Sequence, residues 1–181
     1  DVLGLAKLMG GRKAFVAKLQ KVFDEGLYDP ANEPDIAYPY LFSYFKGEEW
    51  RTAQIVSQLL DRHYTTEAAG LPGNDDAGTM SAWAVFSMMG FYPDCPGNPS
   101  YTLTAPRFDK VEISLNPEYC GGKESLVITK TGTAGEGEWL KITGMTLGGK
   151  KHSSYRVSHD ALTRGGHLAF TCRPTPQNTT H

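Results

Sequence analysis

Cysteine is scarce, at three in 181 residues, and the three (Cys95, Cys120 and Cys172) follow no regular spacing. An odd, irregular set excludes a disulfide framework and a cysteine zinc site. The expectation is three free thiols, with one bridge open if the protein is exported and no pair singled out by the sequence. A basic excess is also missing: 18 Lys and Arg stand against 20 Asp and Glu, for a formal net charge of −2. That leaves no field for nucleic acid and no polybasic membrane patch. No apolar run approaches the length of a membrane span. The first residues, Asp1 to Met9, carry no initiator Met and no signal-peptide shape. The chain reads as one already in mid-fold, processed or a piece of something longer.

Aromatics are plentiful, with nine Tyr, eight Phe and three Trp. Such a content suits sugar-stacking surfaces or well-packed cores. The first ninety residues alternate helix patterns with loops. Val2, Leu5, Ala6 and Met9 predict a short helix. Phe15, Val16, Leu19, Val22 and Phe23 predict a second, closed by Gly26 and Pro30. Pro34 fits the first turn of a helix, with Asn32 or Glu33 just before it. Pro39 delays any helix in the aromatic run Ile36–Phe45. A longer helix is expected from Glu48 to about His63, and another from Met80 to Gly90.

The texture changes after Pro93. Asp94 to Ser100 is a dense turn cluster. Strand patterns then cover Lys110–Leu115, Leu126–Thr129, Trp139–Ile142, Tyr155–Val157 and His167–Cys172, with turns at Gly121-Gly122, Gly148-Gly149 and Gly165-Gly166. Ser158–Arg164 fits a single helical turn. The expected class is α+β: stacked helical hairpins over about residues 1–100, a small antiparallel β-sheet or sandwich over 101–173, and a polar, frayed tail over 174–181.

Two acidic loops carry the chemistry. One is Asn32-Glu33-Pro34-Asp35; the other is Asn74-Asp75-Asp76. Each precedes an aromatic or apolar helix, so equivalent phase would bring both to one cavity. Carboxylates at a helix N-terminus stay ionised, which suits a general base, a hard-cation ligand such as one for calcium, or an ordinary N-cap. The histidines (His63, His152, His159, His167) show no ligand spacing, and Ser81 and Ser87 have no base nearby in sequence. The glycine pairs match no phosphate-binding template. Asn178-Thr179-Thr180 matches a glycosylation acceptor.

The stretch Gly70-Leu-Pro-Gly-Asn-Asp-Asp-Ala-Gly-Thr-Met-Ser-Ala-Trp83, continued by Val85-Phe-Ser-Met-Met-Gly-Phe-Tyr-Pro-Asp-Cys-Pro-Gly-Asn-Pro99, resembles the signature of the calcium-dependent exo-α-mannosidases of glycoside hydrolase family 92. Asn32-Glu33-Pro34 resembles that family's second motif. Ala105–Ile113 resembles the segment after its barrel, and Arg164–Phe170 its last strand. The resemblance implies the C-terminal end of an (α/α)6 catalytic barrel and its closing β region. It implies that Asp76 is the general base that activates water, with Asn74 and Asp75 in the same base loop. Some members of the family use two carboxylates two positions apart; Asn74 stands at the first of those positions here. Glu33 is implied as a calcium ligand, with Asn32 beside it. The implied reaction is hydrolysis, with inversion, of terminal α-linked mannose from glycans, α-1,2 being the expected linkage.

The family's general acid is a glutamate upstream of the Asn-Glu-Pro motif. None of Glu25, Glu48 or Glu49 sits in that acid's motif, so the isolated chain is expected to be inactive without the N-terminal part of the same enzyme. Glycan substrates imply a secreted or periplasmic protein. The alternative from another class is a non-catalytic carbohydrate-binding module.

Overall fold

A computed structural model of the chain describes residues 1–121, 124–164 and 166–177. The helical half begins with α1 (Val2–Leu8) and α2 (Arg12–Asp24). Asp1 caps α1 by accepting the Gly4 amide at 2.8 Å. Two short 3-10 helices follow, Glu33–Asp35 and Tyr38–Tyr44, each with a proline in its first turn. Proline there fixes φ and lacks only an N–H that has no helical partner anyway. Next come α3 (Glu49–His63) and α4 (Thr79–Met89).

These elements share one core, in which Tyr40, Phe42, Val56 and Trp83 are almost fully buried. α2 and α3 reach it through apolar faces repeating every three to four residues, Phe15, Val16 and Leu19 on one and Ile55, Val56, Leu59 and Leu60 on the other. α4 carries no charged residue. It is sandwiched, with Trp83 in the helical core and Phe86 and Met89 against the β core.

Gly90 ends α4 in a left-handed conformation, φ 93°. A Cβ there would sit 2.7 Å from Pro106 and 3.0 Å from the Thr104 carbonyl oxygen. Gly90→Ala should therefore cost about 3 kcal/mol, from the left-handed penalty plus the overlap. A denaturant midpoint within error of wild type would show that the Pro106 loop moves aside without cost.

Among the described residues, the β half has eight strands in two sheets. β1 (Phe91–Tyr92), β2 (Ser100–Leu103) and β7 (Arg156–Ser158) form one, in the order β1-β2-β7 and wholly antiparallel. β3 (Lys110–Ser114), β4 (Ser125–Thr131), β5 (Glu138–Leu147), β6 (Lys150–Lys151) and β8 (Gly166–Pro176) form the other, in the order β3-β4-β8-β5-β6. The short helix α5 (His159–Thr163) lies between β7 and β8, where a single helical turn is expected. Gly148 and Gly149, φ 57° and 76°, make the two-residue turn between β5 and β6. Leu126, Ile128, Leu168, Phe170 and Cys172 fill the second core at alternate positions of β4 and β8.

Three features differ from the sequence reading. The large sheet is not purely antiparallel, because β4 and β8 pair in parallel. After β6 the chain leaves for the small sheet and α5, then re-enters beside β4 in the same direction, as a crossover requires. β1 and the start of β2 lie where the sequence shows a helix end and a turn cluster. β8 continues to Pro176, three residues into the expected tail, by pairing Leu140 with Pro174 and Glu138 with Pro176. The two prolines are tolerated because β4 pairs with β8 only as far as Thr171. The missing N–H groups fall on that uncovered edge, while Gln177 still donates to Gly137 at 2.8 Å on the other side. The glycosylation-type triplet at 178–180 lies outside the described residues, as do parts of the Gly121-Gly122 and Gly165-Gly166 turns.

Candidate active site

Each acidic loop divides its polar side chains between holding the loop and facing solvent. In the first loop, Asp29 accepts the Ala31 amide at 2.9 Å, and Asp35 accepts the Asp29 amide at 3.3 Å. Asn32 is the N-cap of the first 3-10 helix but makes no side-chain capping bond. Asn32 and Glu33 are both exposed. Among the described residues neither has a side-chain hydrogen-bond partner.

The second loop repeats the division. Asp75 accepts two bonds from Ser81, from the backbone amide at 2.7 Å and from the hydroxyl at 2.8 Å. It thereby satisfies one of the free N–H groups of α4's first turn. Asn74 and Asp76 are exposed, and among the described residues their side chains have no hydrogen-bond partner. Asp76 and Ala77 adopt left-handed backbone, φ 47° and 57°, and are the non-glycine residues with positive φ among those described.

The two loops lie side by side. A Cβ built on Gly73 would come within 2.7 Å of the Ala31 Cβ, so only glycine allows the approach. The indole N–H of Trp83 on α4 donates to the Ile36 carbonyl at 3.0 Å, fixing α4 to the segment after Glu33. Tyr40 and Ser87 share a buried hydrogen bond of 2.7 Å, a second tie between the same elements.

Beneath the loops lies an aromatic floor that sequence reasoning missed. Tyr64 stacks on Trp83 at 5.4 Å, and Tyr92 stacks on Tyr40 at 4.6 Å. Burial pushes the Tyr92 phenol up to about 12, helped by the negative charges of Asp94 and Glu33. Burial also raises Tyr64 to about 12, with Tyr92 and Asp75 adding to it. Tyr28 and Tyr40 are raised as well, again chiefly by burial. The available signal was position: Tyr28 immediately precedes the first loop and Tyr64 opens the segment leading to the second.

The phenols make stability fall in alkali. Their folded values lie above the ordinary 10.0, so the unfolded chain loses these protons first. Stability should be undiminished below pH 10 and fall as pH rises from 10 towards 12. The slope should reach about 1.4 kcal/mol per pH unit for each buried phenol. Urea titrations from neutral pH upward would measure it; a flat profile through pH 12 would contradict the buried cluster.

Glu25, Glu48 and Glu49 are already engaged. Glu48 pairs with Arg51 at 2.8 Å and Arg12 at 2.9 Å. Those bonds, Arg51's above all, hold its carboxyl below the usual range. Glu49 accepts the Gly47 amide at 2.6 Å, and Glu25 lies 3.5 Å from Lys21. The histidines are scattered in local roles: His152 on the Arg156 carbonyl, His159 on Tyr101, His167 on Thr129. The three cysteines are free thiols. Among the described residues, no three His, Cys, Asp or Glu side chains gather as a metal site. No described helix is long and apolar enough to cross a membrane. A cleft of about 510 Å³ between α3 and the large sheet involves neither acidic loop.

Comparison with known proteins agrees with the motif resemblance. The profile described as the glycosyl hydrolase family 92 catalytic domain matches residues 1–174. A protein named "Uncharacterized secreted glycosidase", from Arthroderma benhamiae, is 32% identical over 171 residues. That match covers 94% of this chain and 21% of the relative. Among solved structures, a family GH92 alpha-mannosidase from Bacteroides thetaiotaomicron superposes with a TM-score of 0.79 at 27% identity. It covers 90% of this chain and 22% of that one. A family GH92 inverting mannosidase from the same organism gives a TM-score of 0.78 at 29% identity, covering 95% of this chain and 26% of that one. The chain thus spans about a fifth to a quarter of the length of these relatives. With its profile match over nearly the whole length and both loop motifs in place, the chain belongs to glycosyl hydrolase family 92.

Proposed function

We propose that this chain carries the base side of the active site of a secreted, inverting exo-α-mannosidase. The observation that carries the proposal is the exposed Asp76 carboxylate beside the Glu33 loop, without a hydrogen-bond partner among the described residues, while its neighbour Asp75 is spent on α4. Asp76 takes a proton from the water that attacks the anomeric carbon of a terminal α-linked mannose. α-1,2-linked glycans are the substrate expected first. The helices of residues 1–89 are then the closing elements of an (α/α)6 barrel, completed by the N-terminal part of the same enzyme.

Calcium fits the first loop by donor chemistry. Asn32 and Glu33 offer hard oxygen ligands that no capping bond uses. Calcium takes six to eight oxygens, and about two side chains fall well short of that. Backbone carbonyls, water and sugar hydroxyls would complete the set. When bound, the ion would hold vicinal sugar hydroxyls and favour a distorted ring. Around it, this chain's residues orient the water through Asp76 and exclude solvent beneath through Tyr64 and Tyr92.

Inverting hydrolysis needs a second carboxyl to protonate the leaving oxygen. Glu48 is held ionised by two arginines, and Glu25 and Glu49 are bonded elsewhere. The family resemblance puts the acid upstream of Asn32-Glu33-Pro34, so the 181 residues alone are expected to be inactive. The calcium role is tested in the full-length enzyme by chelation and readdition, with Glu33→Ala alongside. Activity should fall on chelation and return with calcium, and Glu33→Ala should need at least about tenfold more calcium. Activity indifferent to chelator would remove the ion from the mechanism.

A further inference from the structure

Asp75 and Asp76 are adjacent carboxylates with opposite surroundings. The Asp75 carbonyl accepts the Gly78 and Met80 amides, both at 3.1 Å, and its carboxylate accepts the amide and hydroxyl of Ser81 at 2.7 and 2.8 Å. Main chain and side chain of Asp75 are thus both anchored in the first turn of α4. Between the anchors the chain turns back through Asp76, Ala77 and Gly78, with φ of 47°, 57° and 89°. L residues rarely adopt that conformation, and alanine has no side-chain bond to favour it. The turn persists because both of its ends are held. α4 itself is held by Trp83 to Ile36 and by Ser87 to Tyr40.

We propose that Asp75 and Ser81 are positioning residues: their paired hydrogen bonds hold the left-handed turn that aims the Asp76 carboxylate. This rests on the reading of Asp76 as the base. The competing assignment makes Asp75 the base. That carboxylate would have to give up a Ser81 bond to take a proton from water.

The two assignments separate in the full-length enzyme. Ser81→Ala should lower kcat by about 10- to 100-fold with KM little changed, because a misaimed base costs turnover and leaves sugar binding intact. Ser81→Thr keeps the hydroxyl and should recover most of the loss. Asp75→Asn keeps an acceptor for the Ser81 amide and should retain activity within about tenfold. Asp75→Ala should lose about 100-fold, and Asp76→Asn more than either. Asp75→Asn as inactive as Asp76→Asn would overturn the proposal and make Asp75 the base.

A second readout needs no activity. In the 181-residue chain, backbone NMR shifts of Asp76 and Ala77 should leave left-handed values in Ser81→Ala and keep them in Ser81→Thr. Unchanged shifts in Ser81→Ala would also overturn the clamp. A wild-type enzyme that released no mannose would refute the base reading, and the shifts would still decide whether the clamp exists.

Discussion

Asp76→Asn in the full-length enzyme should lower kcat by about 10²- to 10⁴-fold, the range general-base removal spans. KM should change little, because the amide keeps the shape and the Asn32-Glu33 loop proposed for calcium is untouched. The expectation follows from the carboxylate's surroundings. Asp76 is exposed and beside the Glu33 loop, and among the described residues no protein group satisfies its oxygens. The fold of the variant should survive, since the cap of α4 belongs to Asp75. Far-UV dichroism and the unfolding midpoint should match wild type. A variant that keeps a tenth or more of the activity would take the base role away from Asp76.

Asp94→Ala should destabilise the protein by about 2–3 kcal/mol, the cost of leaving the half-buried Arg156 charge without its partner, discounted because that guanidinium keeps contact with solvent. The Asp94 side chain is fully buried, and Arg156 donates to it at 2.9 Å. Thr102 donates to its other oxygen at 2.7 Å. The Arg156 guanidinium also lies 4.2 Å over the Tyr44 ring and reaches Ser100 at 3.3 Å. Tyr44 belongs to the second 3-10 helix, while Thr102 and Arg156 belong to β2 and β7. One buried carboxylate therefore joins the helical half to the small sheet, five residues beyond the end of α4. Removing both charges, in Asp94→Ala with Arg156→Leu, should cost less than Asp94→Ala alone. Equal stability of Asp94→Ala and wild type in urea would mean the pair is solvated.

Most of the helical half was legible because its signals are local. Repeats such as Phe15–Leu19 and Ile55–Leu60, prolines at first turns and glycines at ends placed α2, α3 and α4 within a residue or two. β3 was legible from alternation, and shorter strand patterns marked parts of β4, β5, β7 and β8. The parallel pairing of β4 with β8 was not, because it joins residues about forty apart through a crossover that no alternation pattern encodes. β1 is two residues long, too short for any period to register.

At the site, the motifs marked both loops and pointed to Asp76, but did not show that Asp75 takes the structural half of the division. That division depends on the left-handed turn and on which carboxylate Ser81 reaches. Asp94 read as a turn residue because its partners, Thr102 and Arg156, come together only in the folded β half.

The most direct measurement is release of mannose from an α-mannoside, with calcium and with chelator, by the full-length enzyme and by the 181-residue chain side by side. The result predicted here is calcium-dependent release of the inverted sugar by the full-length enzyme and none by the chain. Hydrolysis by the chain alone would place a working acid within these residues. Calcium-indifferent sugar binding without hydrolysis by the full-length protein would make this a carbohydrate-binding module instead.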